Sequence, residues 1–374
     1  MNLFLILDIV MFLYLFFKYF IKSKFTKTEF KVLFSLIIFF SVGLALTIYP
    51  KSTSEFPIKS FDLYRYYYQM DDLRNATFQS AISFIFEKMW FGFRIIEYIV
   101  ALISKYNNVI FIITIPLTIG IYAYIFYHIY KTENSLTKRQ IIISIIYFFS
   151  IVNPIHLFSG IRNALAVAIF SLGFYQVKIK NKKYGYIFYF LSITIHPMTI
   201  ILMVLDILMP ILRKIKYSYV FLLLAFFVFP LITYFMNMLD SIIYIPSIFI
   251  EKANSYVDEE NYYNKKILIF EVIQIVIMLI YLHKINKDGK LDKISTYFYY
   301  LCFLDLGFIT YSTFFIRIRF LFAYFMPYIF SEKNKVQSDS KYDKNIETIL
   351  FIASSIILVH YSLYMYTTLT NGGN

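Results

Sequence analysis

Long apolar runs recur along the whole chain and are separated by short polar connections. A helix that crosses the hydrocarbon core of a bilayer needs about 20 mainly apolar residues, and every backbone group inside the core needs an internal hydrogen bond. Hydrophobic residues make up 59% of the 374 positions and charged residues only 16%, whereas soluble domains average about 45–50% and about 25%. These features predict an all-α, polytopic integral membrane protein.

The apolar runs predict about twelve hydrophobic segments, judged by the length that a bilayer crossing requires. They are 2–20, 32–49, 108–130, 140–157, 158–177, 184–196, 197–212, 217–238, 267–283, 294–312, 314–331 and 346–369. Several are shorter than a full crossing, so short or broken helices near the outer face are expected. Because no long polar stretch separates the runs, residues 1–374 are predicted to form a single membrane-embedded domain.

Basic residues cluster in the connections between these segments, and positively charged loops remain in the cytoplasm. The clusters assigned to the cytoplasm lie within 18–31, 131–139, 178–183, 213–216, 284–293 and 333–344. All of them fall on one side of the predicted segments, which leaves both termini outside. Topology therefore explains the net charge of +13. Because the chain has no nucleic-acid-binding motif, no nucleic-acid partner is expected.

Two of the connections predicted outside are long. Residues 50–107 include a mixed apolar stretch, 78–104, which carries too many charges for a free crossing. This stretch is predicted to form amphipathic helices at the outer interface or a re-entrant pair. Residues 239–266 form the second long outward region, for which a solvated loop and a lid over an outward cavity are both open interpretations.

The ligand types that hold metals are sparse. Cys302 is the one cysteine and lies in an apolar run, so neither an internal disulfide nor a cysteine-based metal site is possible. The acidic pairs Asp71-Asp72 and Glu259-Glu260 are too generic to indicate a metal-binding motif. No essential metal and no cofactor are expected.

Charged residues at the outer ends of apolar segments are costly in a bilayer and are therefore candidates for function. Arg162 and Asn163 lie in the first turn of segment 158–177, where Ser159 or Gly160 can cap the helix. Free N–H groups and the helix dipole favour an anion at such a turn. Arg162 at this place fits a negatively charged ligand, with snorkelling to lipid headgroups as the alternative.

His196 lies at the break between the short segments 184–196 and 197–212. The residue before a proline resists helical geometry, so Pro197 places His196 at the outward apex of a helical hairpin. We expect this histidine to contribute a polar group to a site, while a packed, hydrogen-bonded histidine is the alternative.

Arg317 and Arg319 lie near a second outward turn, between segments 294–312 and 314–331. The planar guanidinium of arginine suits phosphate and carboxylate groups better than a lysine ammonium does. Residues two apart do not share a helix face, so at most one of the two is expected to point into a common cavity.

Asp62, Tyr64 and Arg65 begin the polar part of the first outward region. Asp62 is the best-placed acid for accepting a proton on the outer side, with a helix cap or a loop salt bridge as the alternative. Together with the outward arginines and His196, these residues predict an extracytoplasmic cavity for a negatively charged, membrane-derived substrate such as a lipid-linked pyrophosphate.

The runs Gly160–Ala166 and Ile195–Thr199 resemble motifs of the EpsG-like branch of the Wzy-type polysaccharide polymerases. Asp62 with the tyrosines that follow it resembles the early outward motif of that family, and the run Arg317–Phe325 resembles its late arginine-rich motif. The resemblance covers residues 55–330, which is most of the chain.

This resemblance implies a glycosyltransferase on the outer face of the bacterial cytoplasmic membrane. Such enzymes join undecaprenyl-pyrophosphate-linked oligosaccharide units into O-antigen, capsule or exopolysaccharide. The lipid-linked donor and acceptor and the membrane lipid are then the expected partners, with a flippase and a chain-length regulator as further candidates. Catalytic roles are expected for Arg162, His196 and Asp62, and substrate-binding roles for Arg65, Asn163, Arg317, Arg319 and Tyr64.

Three other functions remain open from the sequence. A ligase-like transferase would use the same donor with another acceptor, and a lipid-linked oligosaccharide flippase would move the donor without reaction. A membrane acyltransferase would need a catalytic histidine beside an acid. The charges that topology does not explain gather at one predicted face, which favours an enzyme over a transporter.

Overall fold

The computed structural model describes residues 3–22, 24–47, 62–87, 90–133, 136–158, 160–223, 265–286, 292–309, 312–336 and 341–370. Every regular element within these ranges is helical, which confirms the prediction of an all-α membrane protein. The predicted outward loop 239–266 lies outside the described residues except for its last two positions, and segment 217–238 is described only as far as residue 223.

The first twelve helices are α1 (Leu3–Phe20), α2 (Lys27–Thr47), α3 (Asp62–Asn75), α4 (Phe78–Phe86), α5 (Phe91–Ile103), α6 (Ile110–Glu133), α7 (Lys138–Ile151), α8 (Pro154–Phe158), α9 (Ile161–Phe174), α10 (Gly185–Ile195), α11 (Thr199–Leu212) and α12 (Ser218–Leu223). They are followed by α13 (Lys265–Asn286), α14 (Lys293–Gly307), α15 (Ser312–Val336) and α16 (Lys341–Thr370). A 3₁₀ turn, Asn107–Val109, precedes α6, and a π-helical turn, Tyr175–Ile179, follows α9.

Four helical stretches in the described part of the chain are long and apolar enough to cross a membrane. They are Lys27–Leu46, Asn107–Thr132, Ile267–Ile285 and Tyr342–Leu363. Shorter apolar helices cover Ile9–Phe20, Gly185–Ile195 and Thr199–Leu212. The last two are the short helices that the sequence predicts on either side of His196. Within the stretch 78–104, the structure describes two further short helices, α4 and α5. The predicted position of this stretch at the outer interface, or as a re-entrant pair, stays a prediction.

The chain divides into two compact units. Unit 1 comprises Met1–Ile201 and Ala323–Asn374, and unit 2 comprises Leu202–Phe322. In unit 2, the Tyr297 hydroxyl donates a hydrogen bond to the Leu202 carbonyl at 2.9 Å, and the hydroxyls of Ser218 and Tyr300 are 2.6 Å apart. These bonds attach the starts of α11 and α12 to α14.

The centre of unit 1 is built from aromatic and β-branched side chains on α6, α7, α9 and α15. The rings of Tyr122 and Phe148 stack with centroids 3.8 Å apart, and Tyr324 meets both rings edge-on. The helices α9 and α10 approach closely, because a Cβ atom on Gly173 would lie only 2.8 Å from the Gly185 carbonyl oxygen. This packing fixes α9 and α10 as an antiparallel pair.

Several of the basic connections meet at one end of unit 1. Lys18 pairs with Glu29 at 2.7 Å, and the Lys138 ammonium donates to the Lys18 carbonyl at 2.8 Å. The amide of Gln140 donates to Asn334 at 3.1 Å and to Glu347 at 2.7 Å. These contacts bring parts of the basic regions 18–31, 131–139 and 333–344 together at one end of unit 1. Their predicted placement in the cytoplasm stays a prediction.

Candidate functional site

Arg162 lies in the first turn of α9, at the end of that helix farthest from the basic connection 178–183. Gly160 precedes the helix as its N-cap residue, and its side chain, a hydrogen, leaves the first N–H groups uncapped. The free N–H groups and the helix dipole give this end of α9 a partial positive charge, which favours an anion. The Arg162 guanidinium adds a full positive charge at the same place. The start of α9 is therefore a strongly electropositive position.

Two aromatic residues hold the Arg162 side chain. Its Nε atom donates a hydrogen bond to the Tyr66 hydroxyl at 3.0 Å, and its guanidinium carbon is 5.3 Å from the centroid of the Tyr66 ring. The same carbon is 5.2 Å from the centroid of the Trp90 ring. Such distances fit the attraction between a cation and an aromatic ring. Arg162 is therefore oriented before any ligand binds.

The helices α3 and α5 supply these aromatic partners. Tyr66 on α3 is only 1% exposed, and its ring packs against Phe93 of α5 with centroids 5.2 Å apart. Trp90 immediately precedes α5 and is half-buried. The packing of α3 on α5 thus forms one wall of the candidate site. The side chain of Arg162 on α9 contacts this wall.

Glu97 is the acidic group of this site. It lies on α5, three residues after Arg94, and its side chain is 0% exposed. Neither of its carboxylate oxygens accepts a hydrogen bond from the described residues. Burial raises the pKa of Glu97 to about 8, against the opposing charges of Arg162, Arg94 and Arg65. The buried carboxyl therefore feels the charge of three guanidinium groups without accepting a hydrogen bond from any of them.

Of these three arginines, Arg94 already has partners on the chain. It is buried, lies 3.3 Å from the carboxylate of Glu87, donates to the Phe84 carbonyl and sits 3.9 Å from the Phe84 ring centroid. Arg65 is exposed, with its guanidinium carbon 5.5 Å from the centroid of the Tyr66 ring. The pair of Arg94 and Glu87 therefore connects α5 to the residue that follows α4.

His196 ends α10 in an extended conformation and is buried. Its Nδ1 atom accepts a hydrogen bond from the Met198 N–H at 3.2 Å, which assigns the proton of the neutral ring to Nε2. The start of α5 packs directly on this end of α10, because a Cβ atom on Gly92 would lie 2.3 Å from the Thr194 hydroxyl oxygen. His196 therefore lies near the start of α5, with its Nδ1 atom engaged as an acceptor.

The other predicted residues of unit 1 are placed as follows. Asn163 is buried, and its side-chain oxygen accepts no hydrogen bond within the described ranges. The helix α3 begins at Asp62, but the side chains of Asp62 and Tyr64 lie outside the described residues. Their predicted roles as proton acceptor and sugar-binding residue stay predictions.

In unit 2, the two arginines of the late motif differ in their surroundings. Arg319 is 2% exposed, pairs with Glu271 at 2.9 Å and donates to the side-chain oxygen of Gln274. Asp305 is also fully buried near this pair. Arg317 is half-buried. The contacts of Arg319 hold α15 to α13, and the predicted substrate-binding role of either arginine stays a prediction.

Sequence reasoning did not select Glu97, Tyr66 or Trp90 as site residues. The available signal was the pair Arg94 and Glu97, which are spaced to share one face of an otherwise apolar helix. Among the described residues, no group of three or more histidine, cysteine, aspartate or glutamate side chains could hold a metal ion.

The helices define a class of protein, a helical membrane protein, in which the candidate site lies at the start of α9. The chain belongs to the EpsG family, whose model matches residues 55–372. No curated protein and no solved structure matches the chain significantly. Membership of this family indicates a membrane-associated bacterial protein of polysaccharide biosynthesis.

Proposed function

We propose that this protein is a glycosyltransferase that polymerises undecaprenyl-pyrophosphate-linked oligosaccharide units on the outer face of the bacterial cytoplasmic membrane. The growing glycan is transferred from its lipid diphosphate to a hydroxyl of the next lipid-linked unit. The anomeric carbon–oxygen bond to the diphosphate breaks, and its electron pair stays on the diphosphate oxygen. A new bond forms from the acceptor oxygen to the anomeric carbon, and the hydroxyl proton is released.

The position of Arg162 is the observation that carries this proposal. Negative charge builds on the diphosphate as the anomeric bond breaks, and fixed donors that meet this charge lower the barrier. Tyr66 and Trp90 hold the Arg162 guanidinium in place at the start of α9. The site therefore needs little reorganisation when the charge develops.

The remaining groups of the site fit subsidiary roles. Arg65 is exposed beside Tyr66 and can bind the second phosphate of the donor. The Nε2–H of His196 suits donation to a substrate oxygen better than proton abstraction, because Nδ1 is already an acceptor. Half-buried Trp90 offers an aromatic face near the arginine. A flippase would supply the lipid-linked units, and a chain-length regulator would set the length of the polymer.

A gel of the surface glycan tests this proposal in cells. The wild-type strain should show a ladder of polymer lengths, and a deletion strain should retain single repeat units without the ladder. Complementation with the intact gene should restore the ladder. Loss of the single units as well would favour a flippase, because units would then fail to reach the outer face. An unchanged ladder in the deletion strain would contradict the proposal for that glycan.

A further inference from the structure

One side of α10 is apolar and exposed. Four of its large side chains are between 42% and 63% exposed, and they are Tyr186, Ile187, Phe190 and Leu191. Their spacing of three or four residues places them along one side of the helix. Contiguous exposed apolar surface of this kind marks a contact with a membrane or with a partner. We call these four residues the exposed face of α10.

Three lysines lie where this face begins. Lys182 and Lys183 are exposed, and Lys180 is half-buried. The N–H groups of Gly185 and Tyr186 donate to the carbonyls of Lys182 and Lys183 at 3.0 and 3.1 Å. The lysines therefore belong to the turn that leads directly into α10, at one end of its exposed face.

The turn that carries the lysines has a fixed shape. The Lys182 N–H donates to the Gln176 carbonyl at 2.8 Å, and Asn181 has a φ of 53°, a left-handed conformation that asparagine adopts more readily than most residues. The Lys180 ammonium is 5.6 Å from the centroid of the Tyr175 ring, which fits a cation–aromatic contact. The positive-inside rule requires basic residues in a loop but no fixed geometry.

The charge of this turn is positive throughout. The sequence has no acidic residue between positions 134 and 205. Within the described part of the chain, no carboxylate pairs with Lys180, Lys182 or Lys183. Tyr184, which is 51% exposed, lies between the lysines and the exposed face, as aromatic residues at a lipid–water boundary do. Lysine clusters beside an apolar helix attract negative lipid headgroups.

We propose that the connection between α9 and α10 is a binding site for an anionic phospholipid. The lipid phosphodiester binds Lys180, Lys182 and Lys183, and the acyl chains cover the exposed face of α10. An anionic headgroup is selected because a zwitterionic lipid brings an ammonium group close to the lysines. This lipid is a ligand in addition to any substrate, and its site does not depend on the reaction proposed above.

The test is native mass spectrometry of the full-length protein in detergent, with dioleoyl phosphatidylglycerol and dioleoyl phosphatidylcholine as the probes. The wild type should bind its first phosphatidylglycerol about tenfold more tightly than phosphatidylcholine. In Lys180→Gln/Lys183→Gln, this affinity should fall about 10- to 30-fold, because two lysines near the negative headgroup are lost. Lys180→Arg/Lys183→Arg keeps both charges and should stay within about threefold of the wild type.

Lys24→Gln/Lys27→Gln is the matched control, because it removes the same charge from two exposed lysines of another basic connection. Its affinity for phosphatidylglycerol should change less than about threefold. An equal loss in the two glutamine variants would show that net charge alone attracts the lipid and would overturn the site. Equal affinity of the wild type for the two lipids would overturn it as well.

A photoactivatable phosphatidylglycerol locates the lipid without any substitution. Crosslinks should fall within residues 178–191, and crosslinks confined to other segments would contradict the proposal. The soluble headgroup glycerophosphoglycerol should not compete at lipid concentrations, because it lacks the chains that cover α10. Effective competition would indicate a site for free phosphodiesters instead. A dimer that excludes the lipid would identify a second copy of the chain as the occupant of the exposed face and would also overturn the proposal.

Discussion

The Nε atom of Arg162 donates a hydrogen bond to the Tyr66 hydroxyl at 3.0 Å, which joins the start of α9 to α3. The two residues are 96 positions apart in the chain. Tyr66 on α3 thus orients the guanidinium group of Arg162 on α9.

Replacement of Arg162 tests the charge at this position. In Arg162→Ala, we expect the transfer rate to fall about 100- to 1,000-fold, as for the loss of one donor that stabilises developing negative charge. Arg162→Lys keeps the charge but loses the planar fork and the Nε bond to Tyr66, so it should recover only part of the rate. The rate of glycan lengthening in reconstituted membranes is the measurement.

The control for this experiment is Arg139→Ala, which removes an exposed arginine at the basic end of unit 1. Its rate should stay within about twofold of the wild type, because surface substitutions away from a site have small effects. Equal losses in Arg139→Ala and Arg162→Ala would mean that total charge, rather than the position of Arg162, determines the rate.

Tyr66→Phe tests whether orientation of Arg162 matters apart from its charge. The substitution keeps the ring that packs on Phe93 and removes only the hydroxyl that accepts from Nε. Hydrogen bonds to charged groups contribute about 1.5–3 kcal/mol, so activity should fall about 10- to 100-fold. Tyr68→Phe is the matched control, since Tyr68 is exposed on the same helix. A wild-type rate in Tyr66→Phe would show that Arg162 needs no orientation by Tyr66.

Gly92 tests the contact between α5 and α10. A Cβ atom at Gly92 would lie 2.3 Å from the Thr194 hydroxyl oxygen and 3.0 Å from its Cβ. Gly92→Ala should therefore lower stability by about 1–3 kcal/mol through overpacking, and adding Thr194→Ala should recover part of that loss. The measurement is the thermal unfolding temperature in detergent.

Gly120→Ala provides the comparison, because a Cβ atom at Gly120 would meet nothing within 4 Å. This substitution in the interior of α6 should leave stability unchanged or raise it by about 0.5–1 kcal/mol, since glycine is unfavourable inside helices. Equal destabilisation by the two alanines would contradict the close approach at Gly92.

Arg319→Ala tests the buried ion pair of unit 2. Loss of the guanidinium leaves Glu271 buried without its cation, which should cost about 3–5 kcal/mol of stability. Arg317→Ala, two positions earlier on the same helix and half-buried, should cost less. Unfolding temperatures of the two variants give the comparison, and a larger loss in Arg317→Ala would contradict a stabilising role for the Arg319 pair.

Much of the fold follows from local signals in the sequence. The break at His196-Pro197 and the start of α9 after Gly160 both lie where proline and glycine predict them. The π-helical turn after α9 was not predicted, because it depends on packing between helices rather than on local composition.

The site was predictable only in part. Position in a helix indicated Arg162 and His196, because a charge or a polar group at the outer end of an apolar run is unusual. Tyr66 and Trp90 could not be separated from the many tyrosines and other aromatics that simply pack or lie at the interface. The burial of Glu97 near three arginines depends on how α3, α5 and α9 pack together. Local sequence patterns do not predict this tertiary packing.

The most direct test of the central claim uses purified protein reconstituted in liposomes with lipid-linked repeat units. We expect glycans to lengthen and one undecaprenyl pyrophosphate to be released for each unit added, with both products lost together in Arg162→Ala. Movement of intact units across the bilayer without lengthening or release of the lipid diphosphate would contradict it and would identify a transporter.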